Sequence, residues 1–250
     1  MLALPEDGDA HFHGRGRGRD KVTKEQPSLF ESTRSPYEEA SGESPGKHVH
    51  FLPGLKEDEG YGQISRLADL EEMARNCRLC PLRDGCKQAV FGAGSPDADI
   101  MLVGEGPGQS EDEMGIPFVG KAGRLLDRIL EAAGINRANV YITNVVKCRP
   151  PGNRLPNPNE IAVCRGYLEA QIRLLEPKII ICLGALATQT VVDNKAKITL
   201  VRGRWFTRQG IMIMPTYHPA ALLRNESLKR PVWEDFKLIR QEIIDKGLKK

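Results

Sequence analysis

The sequence lacks a long hydrophobic run. No apolar stretch approaches the roughly 20 residues that span a bilayer, so no membrane-spanning helix is expected. Met1 to Pro5 form a short apolar start that runs at once into acidic residues, so no secretory leader is expected either. Cysteine is scarce, with 6 in 250 residues, which is too few for a disulfide scaffold. The expected compartment is a reducing cytoplasm, where grouped cysteines more often hold metal. No internal repeat is present. Histidine is scarcer still: four of the five precede residue 51, which leaves His218 alone in the rest of the chain. Charge of one sign is missing too, because 36 Lys+Arg against 33 Asp+Glu give a net +3.

That small sum hides a division. Residues 1–60 carry 8 basic and 12 acidic side chains, and residues 61–250 carry 28 and 21. The first part holds an Arg-Gly run, Gly14-Arg15-Gly16-Arg17-Gly18-Arg19, then Ser, Pro and Glu without helical or strand period. It is read as a disordered tail. The second part is a basic globular domain, a charge balance compatible with a polyanionic partner.

From Tyr61 the texture changes. Ile64, Leu67, Leu70 and Met73 fall at helical spacing, which predicts a helix to about Asn76. Four apolar, strand-like runs follow, over 99–104, 140–146, 178–183 and 211–217. Amphipathic stretches lie between them near 121–133, 159–175 and 185–193, and a last helix is expected over 231–246. Strands alternating with helices argue for a parallel sheet covered on both faces, with its site at the carboxyl ends of the strands.

Those ends carry the chemistry. The first run closes in Gly104-Glu105-Gly106-Pro107-Gly108, followed by Glu111-Asp112-Glu113. No Gly-Lys-Ser/Thr follows, so this is not a phosphate-binding P-loop. The three carboxylates would repel a phosphate at the next helix start. The glycines instead let backbone N–H groups approach a neutral ligand, or simply make a tight turn. The second run ends near Asn144, whose amide offers both donors and an acceptor, the set that reads a planar base edge. The fourth ends in Tyr217-His218-Pro219-Ala220. Phe118, in Gly115-Ile116-Pro117-Phe118-Val119-Gly120, is a loop aromatic able to stack on a base or to pack beneath its loop.

Cys77-Arg78-Leu79-Cys80, Cys148 and Cys164 supply four thiols, enough for a cubane iron–sulfur cluster or a structural zinc. Cys86 lies close to the first pair and competes for a place in that set, whereas Cys182 sits in an apolar strand and reads as core.

Taken together in their order and spacing, the 104–108 turn, the 115–120 loop, Asn144 with Cys148-Arg149-Pro150-Pro151, and His218-Pro219-Ala220 resemble family 4 uracil-DNA glycosylases. These are iron–sulfur members of the uracil-DNA glycosylase superfamily. The resemblance covers about residues 65–245 and leaves out the tail. It implies an α/β fold, a three-layer αβα sandwich around a four-stranded parallel sheet. It implies a [4Fe-4S] cluster on Cys77, Cys80, Cys148 and Cys164, with zinc the less favoured occupant. It implies hydrolysis of the N-glycosidic bond of deoxyuridine in DNA. A monomer with no membrane attachment is expected. Gly104, Glu105, Gly106, Phe118, Asn144 and His218 would then hold the base. His218 would stabilise the departing uracil, and either Glu105 or Glu111 would assist the water or the sugar cation. Leu222 or Leu223 would fill the vacated stack, and Arg224 would meet a phosphate. Gln26-Pro27-Ser28-Leu29-Phe30 resembles the short peptides by which bacterial DNA-processing proteins dock on the sliding clamp. Gln26, Leu29 and Phe30 would be its contacts. The competing expectations are a glycosylase of the same fold for another deaminated base, and a non-enzymatic iron–sulfur DNA-binding module.

Overall fold

Three segments are buried at every position, the pattern of strands covered on both faces. They are β3 (Ile100–Gly104), β4 (Val140–Asn144) and β5 (Ile179–Leu183). With β7 (Ile211–Thr216) they make a parallel core in the spatial order β4-β3-β5-β7. These are the four expected strands. The second was expected to reach residue 146. Ladder pairing instead stops at Asn144, although Val145 and Val146 still donate backbone N–H groups to Gly104 and Glu105 oxygens at 2.9 and 3.2 Å.

The structure, a computed structural model, describes residues 47–49 and 61–249. The Arg-Gly run and the clamp-like peptide at Gln26, Leu29 and Phe30 lie outside the described residues. Within the stretch read as a tail, β1 (Lys47–Val49) runs parallel to β6 (Trp205–Arg208) at the sheet edge. β6 itself is antiparallel to β7, and β2 (Ala93–Gly94) is antiparallel to β4. The sheet therefore has seven strands, order β1-β6-β7-β5-β3-β4-β2, around the expected four. The β6–β7 hairpin had a readable signal. Gln209 and Gly210 both have positive φ, 48° and 83°, as a two-residue turn matching strand twist requires.

Alternation along the strands divides the side chains between two layers. Ile100, Leu102, Val140, Ile142, Ile179 and Ile181 pack with residues of α4 (Lys121–Ala132) and α9 (Lys229–Asp245). On the other face, Tyr141 and Thr143 meet Gln171 of α5 (Pro158–Leu175), with α1 (Leu67–Asn76) against α5. α5 begins cleanly because Asn157 and Glu160 form a reciprocal capping box and Pro158 occupies the first turn. Short helices fill the remaining connections: α2 (Leu82–Gly85), α3 (Gln109–Met114), α6 (Ala185–Val191), α7 (Ile198–Val201) and α8 (Pro219–Arg224). No helix among the described residues is long and apolar enough to cross a membrane.

The end of β7 is tied to α9 through one buried carboxylate. Asp235 accepts from Thr216 Oγ1 at 2.6 Å and from Arg202 Nε at 3.1 Å, with a second bond from Arg202 Nη2. The same guanidinium lies over the Tyr217 ring, 5.6 Å from its centre. Asp235→Ala strands a largely buried cation and frees Thr216. It is expected to cost about 3 kcal/mol, the lower end for breaking a buried pair, read as a lower midpoint in urea denaturation.

Candidate active site and cysteine cavity

The carboxyl ends of β3, β4 and β7 open into one cavity of about 340 Å³. Glu105, Phe118, Asn144 and His218 all line it, so the sequence-predicted residues converge. Gly104 and Asn144 are paired at the last rung of β3–β4. A Cβ on Gly104 would stand 2.3 Å from Asn144 Oδ1 and 2.7 Å from the Phe118 ring, so only glycine fits there. A Cβ on Gly106 would meet Val146 Cγ2 at 2.8 Å.

Asn144 is 1 % exposed, and its Oδ1 has no hydrogen-bond partner among the described residues. Buried acceptors are rarely left open. This one lines the cavity, where an incoming N–H would satisfy it.

Phe118 forms one wall from a left-handed backbone, φ 54°. Such strain persists only where the surroundings over-determine it. Arg137 donates to the Pro117 and Phe118 carbonyl oxygens at 2.9 and 3.2 Å. Glu111, on α3, accepts from the Val119 and Gly120 N–H groups at 2.9 and 2.8 Å. At Gly123 a Cβ would stand 2.0 Å from the Phe118 oxygen, so α4 begins hard against this loop. Glu111 thus lines the cavity with one oxygen committed to holding Phe118. Glu105 has no hydrogen bond to its carboxylate among the described residues. Burial raises its carboxyl above the ordinary carboxylate range, and Arg224 pulls the other way.

His218 caps α8: its Nδ1 accepts the Ala220 N–H at 3.1 Å. The ring proton therefore sits on Nε2. Burial, reinforced by Arg224 and opposed by Glu111, pushes the imidazole down to about 4. His218 is a neutral donor, tilted 33° to the Phe118 ring at 5.5 Å between centres.

The residues expected to wedge DNA separate. Leu222 is 1 % exposed and belongs to the core under α8, while Leu223 is 46 % exposed and Arg224 borders the cavity. Sequence reasoning missed Asn153 and Arg154, which also line the cavity. Arg154 is held there by a two-pronged pairing with Glu160 at 2.9 and 2.7 Å. The only available signal was the Pro-rich texture of 150–158.

A second, smaller cavity is lined by Cys77, Cys80, Cys148 and Cys164 together. They come from the end of α1, the turn after it, the segment after β4, and α5. Cys164 Sγ accepts the Lys147 N–H at 3.2 Å, a bond suited to a thiolate. Cys86 lies beside Cys148 but outside this cavity, with Arg83 Nη1 3.6 Å from its sulfur. Among the described residues no three His, Cys, Asp or Glu side chains converge as one metal ion would require. Four thiols lining one small cavity are a donor set that a cubane iron–sulfur cluster takes, as does a structural zinc.

Residues 91–237 match the family model of the uracil DNA glycosylase superfamily. The chain is 46 % identical over 193 residues to a Type-4 uracil-DNA glycosylase of Thermotoga maritima, spanning 75 % of this chain and 100 % of the relative. It is 46 % identical over 190 residues to the Type-4 uracil-DNA glycosylase of Sulfurisphaera tokodaii, covering 72 % and 86 %. Against the one from Saccharolobus solfataricus the figures are 41 % over 188 residues, 72 % and 87 %.

The neutral state of His218 is directly measurable. Its ¹⁵N ring resonances should keep the Nε2–H pattern on acidification and titrate near 4. Between that value and the ordinary one near 6.5, the unfolded chain binds a proton that the folded chain refuses. The stability from this residue is therefore complete above about 6.5 and is lost as pH falls toward 4. A ring midpoint near 6.5 would contradict the assignment.

Proposed function

The chain belongs to the uracil-DNA glycosylase superfamily, and from that premise we propose that it removes uracil from DNA by hydrolysing the N-glycosidic bond. The free base is released and an abasic site remains, the opening step in repair of deaminated cytosine. The observation that carries this reading is the open acceptor of Asn144 beside Phe118 in the cavity wall.

The bond cannot be reached inside the stack, so the nucleotide must turn out of the duplex. Uracil then stacks on Phe118. Asn144 Oδ1 accepts its N3–H, and the same amide donates to O4. Cytosine offers an acceptor and then a donor at those places, leaving both amide groups mismatched. Each buried mismatch costs roughly 1–3 kcal/mol. As the bond breaks, charge collects on the base at O2, where the Nε2–H of His218 and backbone N–H groups of the 104–108 turn stabilise it. The sugar becomes cationic. Of the two carboxylates, Glu105 is the free one and takes the role beside the cation and the attacking water, whereas Glu111 acts by holding Phe118. Leu223, not Leu222, fills the vacated stack, and Arg224 and Arg154 face phosphate.

Cys77, Cys80, Cys148 and Cys164 would hold a [4Fe-4S] cluster, which when bound would cross-link the segments that carry them and keep their sulfurs as thiolates. These residues tie α1 and α5 to the segment that follows Asn144. The residues that precede β1 serve as a tether, with Gln26, Leu29 and Phe30 contacting the sliding clamp. The protein works as a cytoplasmic monomer.

An oligonucleotide with a single uracil, treated with the protein and then alkali, should be cut at that position. Asn144→Asp removes the donor and should slow uracil release about ten- to a hundredfold, while visible absorbance distinguishes an iron–sulfur chromophore from zinc. Unchanged uracil release by Asn144→Asp would sink the readout.

The tail is tested separately. Replacing Leu29 and Phe30 by Ala in the full chain should abolish retention on immobilised clamp and leave uracil release from free oligonucleotide unaltered. Retention by the double variant would remove the clamp from the account.

A further inference from the structure

Lys147 is a lysine where lysines are seldom found, 2 % exposed beneath the sheet. Its ammonium donates three hydrogen bonds: to Thr143 Oγ1 at 2.7 Å, to the Asn144 backbone oxygen at 2.7 Å and to Gln171 Oε1 at 2.6 Å. None of these partners is a carboxylate. Burying a cation among neutral oxygens is costly even when every donor is used, and an apolar side chain of similar volume would be the cheaper filler. Its presence there therefore points to something other than stability.

The place of the three bonds says what that is. β2 pairs with β4 at Tyr141 and Ile142 and reaches no further. Beyond that point the Asn144 carbonyl takes its hydrogen from Lys147 instead of a strand. Thr143 Oγ1 lies in the same network, donating to the Phe91 oxygen at 2.7 Å, and Gln171 reaches that oxygen at 2.9 Å. The backbone of Lys147 meanwhile faces the other cavity. Its N–H donates to Cys164 Sγ at 3.2 Å, and the next residue is Cys148. Its carbonyl accepts the Val90 N–H at 2.7 Å. One residue thus touches the base-reading strand with its side chain and the cysteine cavity with its backbone.

We propose that Lys147 is a positioning residue, which sets the rotation of Asn144 against the base and makes uracil selection depend on the cysteine cavity. The inference rests on the assignment of Asn144 as the reader of the base. Thr143 and Asn144 point to opposite faces of the sheet, so a residue that clamps both the Thr143 hydroxyl and the Asn144 carbonyl fixes the twist of the peptide between them. That twist aims the Asn144 amide. A shift of Cys148 or Cys164 moves the Lys147 backbone and is transmitted along the same side chain.

The test is a double-mutant cycle on selectivity. Binding of oligonucleotides carrying 2′-fluoro-2′-deoxyuridine or 2′-fluoro-2′-deoxycytidine, which resist cleavage, gives the uracil-over-cytosine preference without reference to rate. Lys147→Met should lower that preference about tenfold, the effect of one mis-set hydrogen bond. In an Asn144→Ala background the same substitution should change it less than about twofold, because the residue it aims is gone. Gln171→Met removes one acceptor while leaving the ammonium in place, and should act in the same direction more weakly. Thermal unfolding and absorbance per chain, measured alongside, report any loss of fold or chromophore. Full preference in both Lys147→Met and Gln171→Met overturns the inference, as does an equal loss with and without Asn144. Full preference in Asn144→Ala alone instead overturns the reading of Asn144 on which the inference rests.

Discussion

The cavity depends on one close approach, that of Gly104 to Asn144 and Phe118. The three meet where β3 and β4 end in register, and no room is left for a Cβ. A methyl group at residue 104 would have to displace the Asn144 amide, the Phe118 ring, or both. Register pairing therefore does more here than add a rung to a ladder. It brings a flat aromatic surface and a hydrogen-bonding amide into the lining of one cavity. In the proposed reading uracil, a planar neutral ring with a polar edge, enters there.

Holding Phe118 in that lining is expensive. Its left-handed backbone is unfavourable for a side chain of its size. Arg137 fixes the carbonyl side of the loop and Glu111 fixes the N–H side, while α4 blocks retreat at Gly123. This division of labour separates the two glutamates that the motif presents side by side. One is engaged in keeping the aromatic wall in place. The other has no hydrogen bond to its carboxylate among the described residues and lies near Arg224.

Much of this was legible in the sequence, for physical reasons. Strands buried on both faces are apolar throughout, so β3, β4, β5 and β7 stood out, as did the long amphipathic helices α4, α5 and α9. The parallel order then sent attention to strand ends, and Glu105, Phe118, Asn144 and His218 do line one cavity. What escaped was short or depended on direction. Helices of four to six residues carry no usable period, so α2, α3 and α7 were invisible. β6 mixes Trp205 and Phe206 with Thr207 and Arg208, and reads as a strand only beside its turn at Gln209-Gly210. Leu222 and Leu223 are indistinguishable in a string, and only the phase of α8 buries one and exposes the other. Nothing in Val145-Val146-Lys147-Cys148 announces that the lysine turns inward.

The charge of the site follows from the chemistry it must favour. Its ligand is a neutral base, and charge separates only as the bond breaks, negative on the base and positive on the sugar. A permanently protonated histidine would act on the ground state as well, and binding energy spent there does not lower the barrier. Here the Ala220 N–H occupies Nδ1, burial removes the second proton, and a neutral Nε2–H is left aimed by its own helix cap. That donor costs no reorganisation when the anion appears. In the proposed reading Glu105 offers the complementary charge for the sugar. The domain's excess of basic residues, 28 against 21 beyond residue 60, is then needed only outside the cavity, where phosphates approach. A chain of net +3 can thus serve a polyanion while its cavity recognises an uncharged ring.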